Sequence, residues 1–211
     1  MAKITTVLFD FDGVVADTEP LYDIFWAEMA ERYHIDVPDF PLKIKGMVLK
    51  HIFDVYFSAY SEEETQKITK ASAEYEQQLD FPEIAGAKAF LRVLKARNFK
   101  LGLVTSSSAV KMQRALKKME LEEIFDTIVT ADRITRGKPD PMGYLLAAHD
   151  LQSQPEECVV FEDSFSGIQA GTAAGMKVIG LATTNPAEAI GKRVSAVIPD
   201  FSDLDGVFAL L

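Results

Sequence analysis

The sequence contains one cysteine, Cys158, among 211 residues. A lone cysteine excludes both an internal disulfide and a cysteine cluster for metal. Its place within the apolar run CVVFED predicts a small buried side chain and not a nucleophile. Redox chemistry therefore finds no support in the sequence.

Long hydrophobic runs are also absent, and none approaches the roughly 20 apolar residues that a membrane-spanning helix requires. The opening residues MAKITTVLFD lead into a predicted strand without the pattern of a signal peptide. With 48% hydrophobic and 26% charged residues, the composition is typical of a soluble globular protein. We expect a cytoplasmic protein without a membrane partner.

Positive charge is scarce, because 22 basic residues face 32 acidic ones and the net charge is -10. The excess acid is concentrated in residues 18–83, and the densest basic feature is the pair of lysines at 117–118. A nucleic-acid backbone requires a basic surface, so binding to nucleic acid is not expected. Most of the carboxylates in 18–83 are interpreted as a solvated helical face.

Short apolar runs bounded by turn residues predict buried strands. Between them lie segments with helical periodicity, and this alternation predicts an α/β fold whose parallel sheet is covered on both faces. In such sheets ligands bind beyond the carboxyl ends of the strands. The predicted strands occupy residues 4–10, 100–105, 126–131, 157–163, 177–183 and 195–200.

Helical periodicity covers residues 85–98, 108–121 and 141–151, the last with Asp140 as its candidate N-cap and Pro141 in the first turn. The glycines at 167, 171 and 175 recur every fourth residue, which predicts close packing of a helix on the sheet.

The interval 18–83 contains no convincing strand, but has helical periodicity at 20–33, 49–60 and 61–79. The last of these begins with a capping-box pattern from Ser61 to Glu64. We interpret the interval as an all-helical cap domain inserted into a Rossmann-like core formed by 1–17 and 84–211.

Polar side chains follow the predicted strands. Asp10 and Asp12 end the first strand, and Thr105 with Ser106 ends the second. If the sheet is parallel, these groups share one crevice with Lys138 and with the acidic pair of the fourth strand, Glu162 and Asp163. Oxygen ligands without histidine or cysteine suit Mg²⁺, and hydroxyls with a lysine suit phosphate.

Each motif alone has an ordinary explanation. Asp10 and Asp12 followed by Gly13 could form a solvated turn, the serines at 106–108 could cap a helix, and Lys138 could be a solvated loop lysine. Their occurrence together and in order, each at a strand end or in a neighbouring loop, favours a shared magnesium and phosphate site.

The stretches FDFDGVVADTEP, LVTSSS, GKPDP and VFEDSFSGIQAGTAAGM resemble the ordered motifs of the haloacid dehalogenase-like hydrolase superfamily. The chain is most similar to the β-phosphoglucomutase-like phosphatase branch of that superfamily. The resemblance implies a helical cap, dependence on Mg²⁺, and phosphoryl transfer through an aspartyl phosphate. Haloalkanoate dehalogenases lack the second aspartate of the first motif, so Asp12 argues against dehalogenation.

The resemblance also implies roles for the strand-end residues. Asp10 would be the nucleophile and a metal ligand, and Asp12 the general acid and base, with its main-chain carbonyl on the metal. Thr105 with nearby main-chain N–H groups would hold phosphate oxygens, and the hydroxyl cluster that includes Ser106 would also bind phosphate. Lys138 would bridge the nucleophile and the phosphoryl group. Glu162 and Asp163 would complete the metal site directly or through water.

Three functions remain open: a phosphatase acting on a small phosphorylated metabolite, a sugar phosphomutase, and a receiver-like signalling module phosphorylated on aspartate. A receiver needs neither an acid at Asp12 nor a lid, which disfavours it. By the resemblance, mutases carry a cap arginine where this chain has Leu49 and a histidine where it has Tyr22. Hydrolysis is therefore preferred, although Lys45 or Lys50 could supply a weaker phosphate clamp.

The substrate and the oligomeric state are not identified by the sequence. By the resemblance, specificity resides in the cap segment PDFPLKIKGMVLKHIF, which would face the core. Lys43 or Lys45 could contact a polar substrate there, or both could be ordinary solvated lysines.

Overall fold

The computed structural model describes residues 3–211, and its central feature is a six-stranded sheet. Each strand lies within one of the six predicted segments, which confirms the α/β class. Apolar, largely β-branched and aromatic runs form the strands, and the strands near the middle of the sheet are buried along their length. The strands are β1 (Thr6–Phe9), β2 (Lys100–Val104), β3 (Thr127–Val129), β4 (Cys158–Glu162), β5 (Lys177–Leu181) and β6 (Ala196–Ile198).

The strand order is β3-β2-β1-β4-β5-β6, and every neighbouring pair is parallel. The chain adds strands on one side of β1 and then returns to add β4 on the other side. Phe9 at the end of β1 is in register with Leu103 of β2 and Phe161 of β4. This reversal of direction beside β1 is the point at which doubly wound sheets bind ligands.

The helices connect the strands, and none of those within residues 3–211 is long and apolar enough to cross a membrane. The helices α1 to α5 all lie between β1 and β2. The other helices alternate with the remaining strands. The helix bounds are α1 (Glu19–Arg32), α2 (Phe40–Ile44), α3 (Leu49–Tyr56), α4 (Glu62–Gln78), α5 (Ala87–Ala96), α6 (Ala109–Lys118), α7 (Met142–Asp150), α8 (Phe165–Ala173), α9 (Ala187–Ile190) and α10 (Leu204–Phe208).

The two faces of the sheet are covered by different helices. Residues of α5, α6 and α10 pack on one face in a cluster that includes the rings of Phe9, Phe90 and Phe161, and α7, α8 and α9 cover the other. Phe9 and Phe161 stack across β1 and β4 with centroids 5.1 Å apart. Burying one such side chain stabilises the fold by about 1.5–3 kcal/mol. This packing holds β1 and β4 together where their carboxyl ends meet.

Several predicted details are confirmed and others need correction. A Cβ at Gly171 would lie 2.9 Å from Val178, which confirms close packing of α8 on the sheet at this glycine only. Gly175 lies beyond the end of the helix, and Gly167 faces the Glu162 carboxylate. The capping box joins Ser61 and Glu64 as predicted. The cap position of α7 is Pro141 and not Asp140, whose Oδ1 nevertheless accepts the Met142 N–H at 2.9 Å. The short helix α2 was not predicted, because five residues are too few for a periodic pattern.

The helices α1 to α4 have a hydrophobic cluster of their own, built around Trp26, Phe40, Phe57 and Ile68. The two chain segments that connect this helical unit to the sheet pair with each other. Asp17 N–H donates to Pro82 O at 2.7 Å, and Ile84 N–H donates to Val15 O at 3.1 Å. The division into a core and a cap at 18 and 83 remains a prediction, and this paired connection lies at its boundaries.

Candidate active site

Three carboxylates and one ammonium meet at the carboxyl ends of β1 and β4. Ligand atoms of Asp10, Glu162 and Asp163 lie within 4.8 Å of one another, and all three side chains are buried. Lys138 Nζ lies 2.9 Å from Asp10 Oδ1 and 2.5 Å from Glu162 Oε1. Four of the predicted site residues are therefore neighbours, because each ends a strand, directly follows one, or lies in a loop at the same edge of the sheet.

Glu162 is held by hydrogen bonds from every side. Oε1 accepts from Lys138 and from the Tyr144 hydroxyl at 2.9 Å, and Oε2 accepts from Asp163 N–H, Ser164 N–H and Ser164 Oγ. A Cβ at residue 167 would lie 1.7 Å from Oε1, so only Gly167 leaves space for this carboxylate. Glu162 is fixed behind the cluster with its oxygens already occupied.

Asp163 is anchored differently, and one of its oxygens is left over. Thr184 Oγ1 donates to Oδ2, and the Asn185 side-chain amide donates to the main-chain carbonyl at 2.9 Å. Oδ1 is buried and has no hydrogen-bond partner within residues 3–211. Gly13, at φ +78°, makes room for the carboxylate, since a Cβ there would lie 2.0 Å from Oδ2. An orphaned buried carboxylate oxygen is costly unless a cation binds it.

The carboxylate of Asp12 has partners of its own. Lys111 Nζ lies 2.7 Å from Oδ1 and 2.8 Å from Oδ2, and Ser107 Oγ donates to Oδ2 at 3.0 Å. The Thr18 hydroxyl donates to Oδ1. Asp12 therefore enters an ion pair that the sequence reasoning missed. Helical periodicity places Lys111 on α6, but it does not indicate which lysine of that helix is buried.

The hydroxyl groups after β2 have different partners. Thr105 is buried, and its Oγ1 accepts the Ser107 N–H at 3.1 Å. Ser106 Oγ donates to the main-chain carbonyl of Gly46 at 2.8 Å. Since Gly46 lies between α2 and α3, the Ser106 hydroxyl that was expected to bind phosphate instead contacts the helical unit.

The helical unit contacts the core through the segment expected to face it. Ser166 Oγ donates to the Lys45 main-chain carbonyl at 3.1 Å, beside the Ser106 contact. The ammonium of Lys45 lies 3.1 Å from Glu19 and 3.0 Å from Asp23. Lys43 is exposed to solvent. Of the two lysines considered as substrate contacts, Lys45 borders the site in ion pairs, and Lys43 fits the alternative of a solvated lysine.

Burial and mutual repulsion set the charges of this cluster. Burial raises the pKa of Asp10 and of Asp163, and the neighbouring Glu162 raises both further. Burial opposes the charged form of Lys138, but Asp10 and Glu162 outweigh it and raise its pKa. Burial would also raise the pKa of Asp12, but Lys111 and the hydroxyl donors lower it. The cluster at Asp10 thus holds more acid than one lysine balances, which fits a divalent cation.

A cavity of about 470 Å³ lies between the strand ends and the helical unit. Its volume is within the range of about 300–1,000 Å³ that is common for small-molecule sites. The core side carries carboxylates and hydroxyls, and the cap side combines apolar surface with acidic groups. The lining includes Asp10, Asp12, Ser107, Lys111 and Asp163 on one side and Glu19, Tyr22, Asp23, Trp26, Ile52 and Glu76 on the other.

Comparison with known proteins matches residues 7–181 to a family described as haloacid dehalogenase-like hydrolase. The chain is 34% identical over 178 residues to the phosphorylated carbohydrates phosphatase of Thermotoga maritima, covering 82% of each chain. It is 31% identical over 194 residues to the β-phosphoglucomutase of Bacillus subtilis, covering 85% of this chain and 84% of that protein. The crystal structure of β-phosphoglucomutase from Clostridium difficile superposes with a TM-score of 0.82 at 25% identity, covering 98% and 96% of the two chains.

Proposed function

The chain belongs to the haloacid dehalogenase-like hydrolase family, and we propose that it is a magnesium-dependent phosphatase that hydrolyses a small phosphate monoester through an aspartyl phosphate. The relatives named a phosphatase of phosphorylated carbohydrates and a β-phosphoglucomutase support a sugar phosphate or a related metabolite as the substrate. The observation that carries the proposal is the buried cluster of Asp10, Lys138 and Asp163 with its unpartnered Asp163 Oδ1.

Asp10 and Asp163 have the oxygen donors that Mg²⁺ prefers, and family resemblance adds the main-chain carbonyl of Asp12. Glu162 contributes indirectly, because its hydrogen bonds fix the main chain of Asp163 and the ammonium of Lys138. When bound, the ion offsets the negative charge of nucleophile and phosphate and orients the phosphoryl group. Lys138 adds a positive charge 2.9 Å from the Asp10 carboxylate.

In the first step, an oxygen of Asp10 forms a bond to phosphorus as the bond from phosphorus to the ester oxygen breaks. This step requires the protonated form of Asp12, which gives its proton to the departing oxygen, and the alcohol leaves. In the second step, water attacks the phosphorus of the aspartyl phosphate while Asp12 takes its proton. Inorganic phosphate leaves and Asp10 is regenerated. Thr105 and the main-chain N–H groups of the loop after β2 hold the phosphate oxygens during both steps.

Hydrolysis is favoured over mutase chemistry by the charges of the cavity. A mutase must also bind the phosphate that is not being transferred, and arginine suits that task through paired hydrogen bonds. No arginine is among the cavity-lining side chains of residues 3–211. Of the lysines there, Lys45 is paired with Glu19 and Asp23, Lys111 with Asp12, and Lys50 is 82% exposed and paired with Asp54. The receiver-like alternative is disfavoured by Asp12 and by the helices that cover the site.

The test of phosphatase activity is a screen of phosphate monoesters, sugar phosphates first, by release of inorganic phosphate. We expect release with Mg²⁺, none in chelator, and recovery when Mg²⁺ is restored. Ca²⁺ should be a poor substitute, because it takes a larger and looser ligand shell. Full activity in chelator would contradict the proposed metal site, and no release from any monoester would contradict the function.

The mutase alternative has a separate test. The enzyme is given β-glucose 1-phosphate with a trace of the 1,6-bisphosphate and Mg²⁺, and glucose 6-phosphate and free phosphate are measured separately. We expect glucose 6-phosphate formation to be slow. Rapid glucose 6-phosphate formation with little free phosphate would overturn the hydrolase assignment in favour of the mutase.

A further inference from the structure

We infer that Lys111 is a positioning residue for the reaction: together with Ser107 it fixes the carboxylate of Asp12 in the orientation from which Asp12 moves the proton. The inference rests on the proposed function, because it assigns a task only if Asp12 is the acid and base. It concerns a second lysine of the site, distinct from Lys138, which pairs with Asp10.

The ammonium of Lys111 binds both carboxylate oxygens of Asp12, and so fixes the positions of both. The ammonium lies 2.7 Å from Oδ1 and 2.8 Å from Oδ2, and it also donates to Ser107 Oγ at 2.8 Å. Ser107 Oγ in turn donates to Oδ2 of Asp12 at 3.0 Å. This closed triangle of donors limits rotation of the carboxylate more than a single hydrogen bond would.

The backbone of Lys111 is also held in place. Its main-chain N–H donates to Ser108 Oγ at 3.3 Å, the N-cap contact of α6. The side chain is 1% exposed, and buried lysines are rare unless they are paired. The main chain and the ammonium of Lys111 are therefore both held by hydrogen bonds, the ammonium by those to Asp12 and Ser107.

The position of Lys111 on α6 argues against a role in helix stability. Lys111 lies in the first turn, where the helix dipole disfavours positive charge. The other lysines of α6, Lys117 and Lys118, occupy the last turn, where the dipole favours them. The pairing with Asp12 is what stabilises a charge at this otherwise unfavourable place.

The helical unit completes the surroundings of the pair. The ring of Tyr22, from α1, lies with its centroid 4.5 Å from Lys111 Nζ, and the Thr18 hydroxyl donates to Asp12 Oδ1. Tyr22 and Lys111 both line the cavity, and the ring lies against the ammonium. The core thus orients Asp12, while Thr18 adds a hydrogen bond to Asp12 and Tyr22 a ring contact to Lys111.

The decisive experiment compares Lys111→Met with the matched control Lys117→Met, which removes an exposed lysine of the same helix. With a sugar phosphate and Mg²⁺, we expect Lys111→Met to lower kcat by about 100-fold, the lower range for loss of general acid-base catalysis, with KM little changed. Lys117→Met should turn over at the wild-type rate. Lys111→Gln, which keeps a neutral donor, should fall between the two.

A double-mutant cycle with Asp12→Asn separates positioning from other roles. If Lys111 acts through Asp12, Lys111→Met should cause no further loss in the Asp12→Asn background. Melting temperature and calorimetric Mg²⁺ affinity identify variants that merely misfold. If Lys111→Met misfolds, Lys111→Gln is used in its place. The role of Lys111 would be overturned by additive losses of kcat in the double variant or by a change confined to KM. Wild-type kcat in both Lys111→Met and Lys111→Gln would also overturn it. An inactive wild-type protein would instead overturn the proposed function itself, and the inference with it.

Discussion

The sheet core and the helical unit are both well packed, but they differ in how their buried charges are balanced. At the core site, Asp10, Lys138, Glu162 and Asp163 are buried within contact of each other. The helical unit has surface ion pairs, such as Lys67 with Glu63, and a largely buried pair, Lys45 with Glu19. Surface pairs contribute little to stability, whereas breaking a buried pair is costly. The core site therefore buries more carboxylates than one lysine balances, whereas the largely buried ammonium of Lys45 in the helical unit is matched by Glu19 and Asp23.

The two regions also differ in what packs them. In the core, the buried strands β1 and β4 place Asp10, Glu162 and Asp163 at strand ends. In the helical unit, aromatic rings of separate helices pack edge to face, as Phe40 does with Trp26 and Tyr56. We therefore expect substitutions at strand ends to change chemistry with the fold retained. Substitutions within the aromatic cluster should change the stability of the cap region first.

The largest effect is expected at the nucleophile. Asp10→Asn keeps the shape of the side chain but removes the attacking charge, so turnover should fall by about a thousandfold or more. Circular dichroism should remain that of the wild-type protein. Asp17→Asn, at an exposed aspartate of the same loop, is the control and should keep full activity. Activity near the wild-type level in Asp10→Asn would refute the covalent mechanism.

Next in size is the loss of a ring from the aromatic cluster. Phe40 is 2% exposed, and Phe40→Ala should cost about 3–5 kcal/mol of stability. Hydrogen exchange should rise mainly in the amides of α1 to α4, with those of β1 and β4 still protected. Leu42→Ala, at an exposed side chain of the same helix, is the control. Equal loss of protection across the whole chain would mean that core and cap unfold as one unit.

A smaller effect is expected behind the proposed metal site. Thr184→Val removes the hydroxyl that holds Asp163 Oδ2. We expect Mg²⁺ affinity, measured by calorimetry, to fall by about 10–100-fold, as is usual when a partner of a metal ligand is lost. Thr184→Ser keeps the hydroxyl and should bind Mg²⁺ as the wild-type protein does. Unchanged affinity in Thr184→Val would show that Asp163 needs no such support.

The sequence predicted the core more completely than the cap, for a physical reason. A buried parallel strand is a short apolar run, and the residue after it lies at a known edge of the sheet. Asp10 and Asp163 could therefore be assigned to one site from their positions alone. The hydrogen bond from Ser106 to Gly46 could not be predicted, because it joins residues 60 positions apart whose encounter depends on how the helices pack.

The residues that orient the site were missed for a related reason. Lys111 and Thr184 act on Asp12 and Asp163 from a helix and a loop, and nothing in the local sequence distinguishes them from solvated neighbours. Tyr144 follows the helical pattern of α7 and would be taken for an ordinary core side chain. Sequence patterns indicate which side chains are buried and which segments are helical or extended. They do not indicate which polar atoms form hydrogen bonds with each other.

The smallest effect is expected at the start of α4, far from the chemistry. Ser61 Oγ accepts the Glu64 N–H at 3.3 Å and donates to the Glu64 carboxylate at 2.8 Å. Ser61→Ala should destabilise the helical unit by about 1 kcal/mol, because the first turn loses its cap. We expect faster hydrogen exchange in the first turns of α4, with phosphatase kinetics unchanged. Ser58→Ala, at an exposed serine in the preceding turn, is the control. A fall in kcat in Ser61→Ala alone would mean that stability of the helical unit and chemistry in the core are coupled, against the separation argued from their packing.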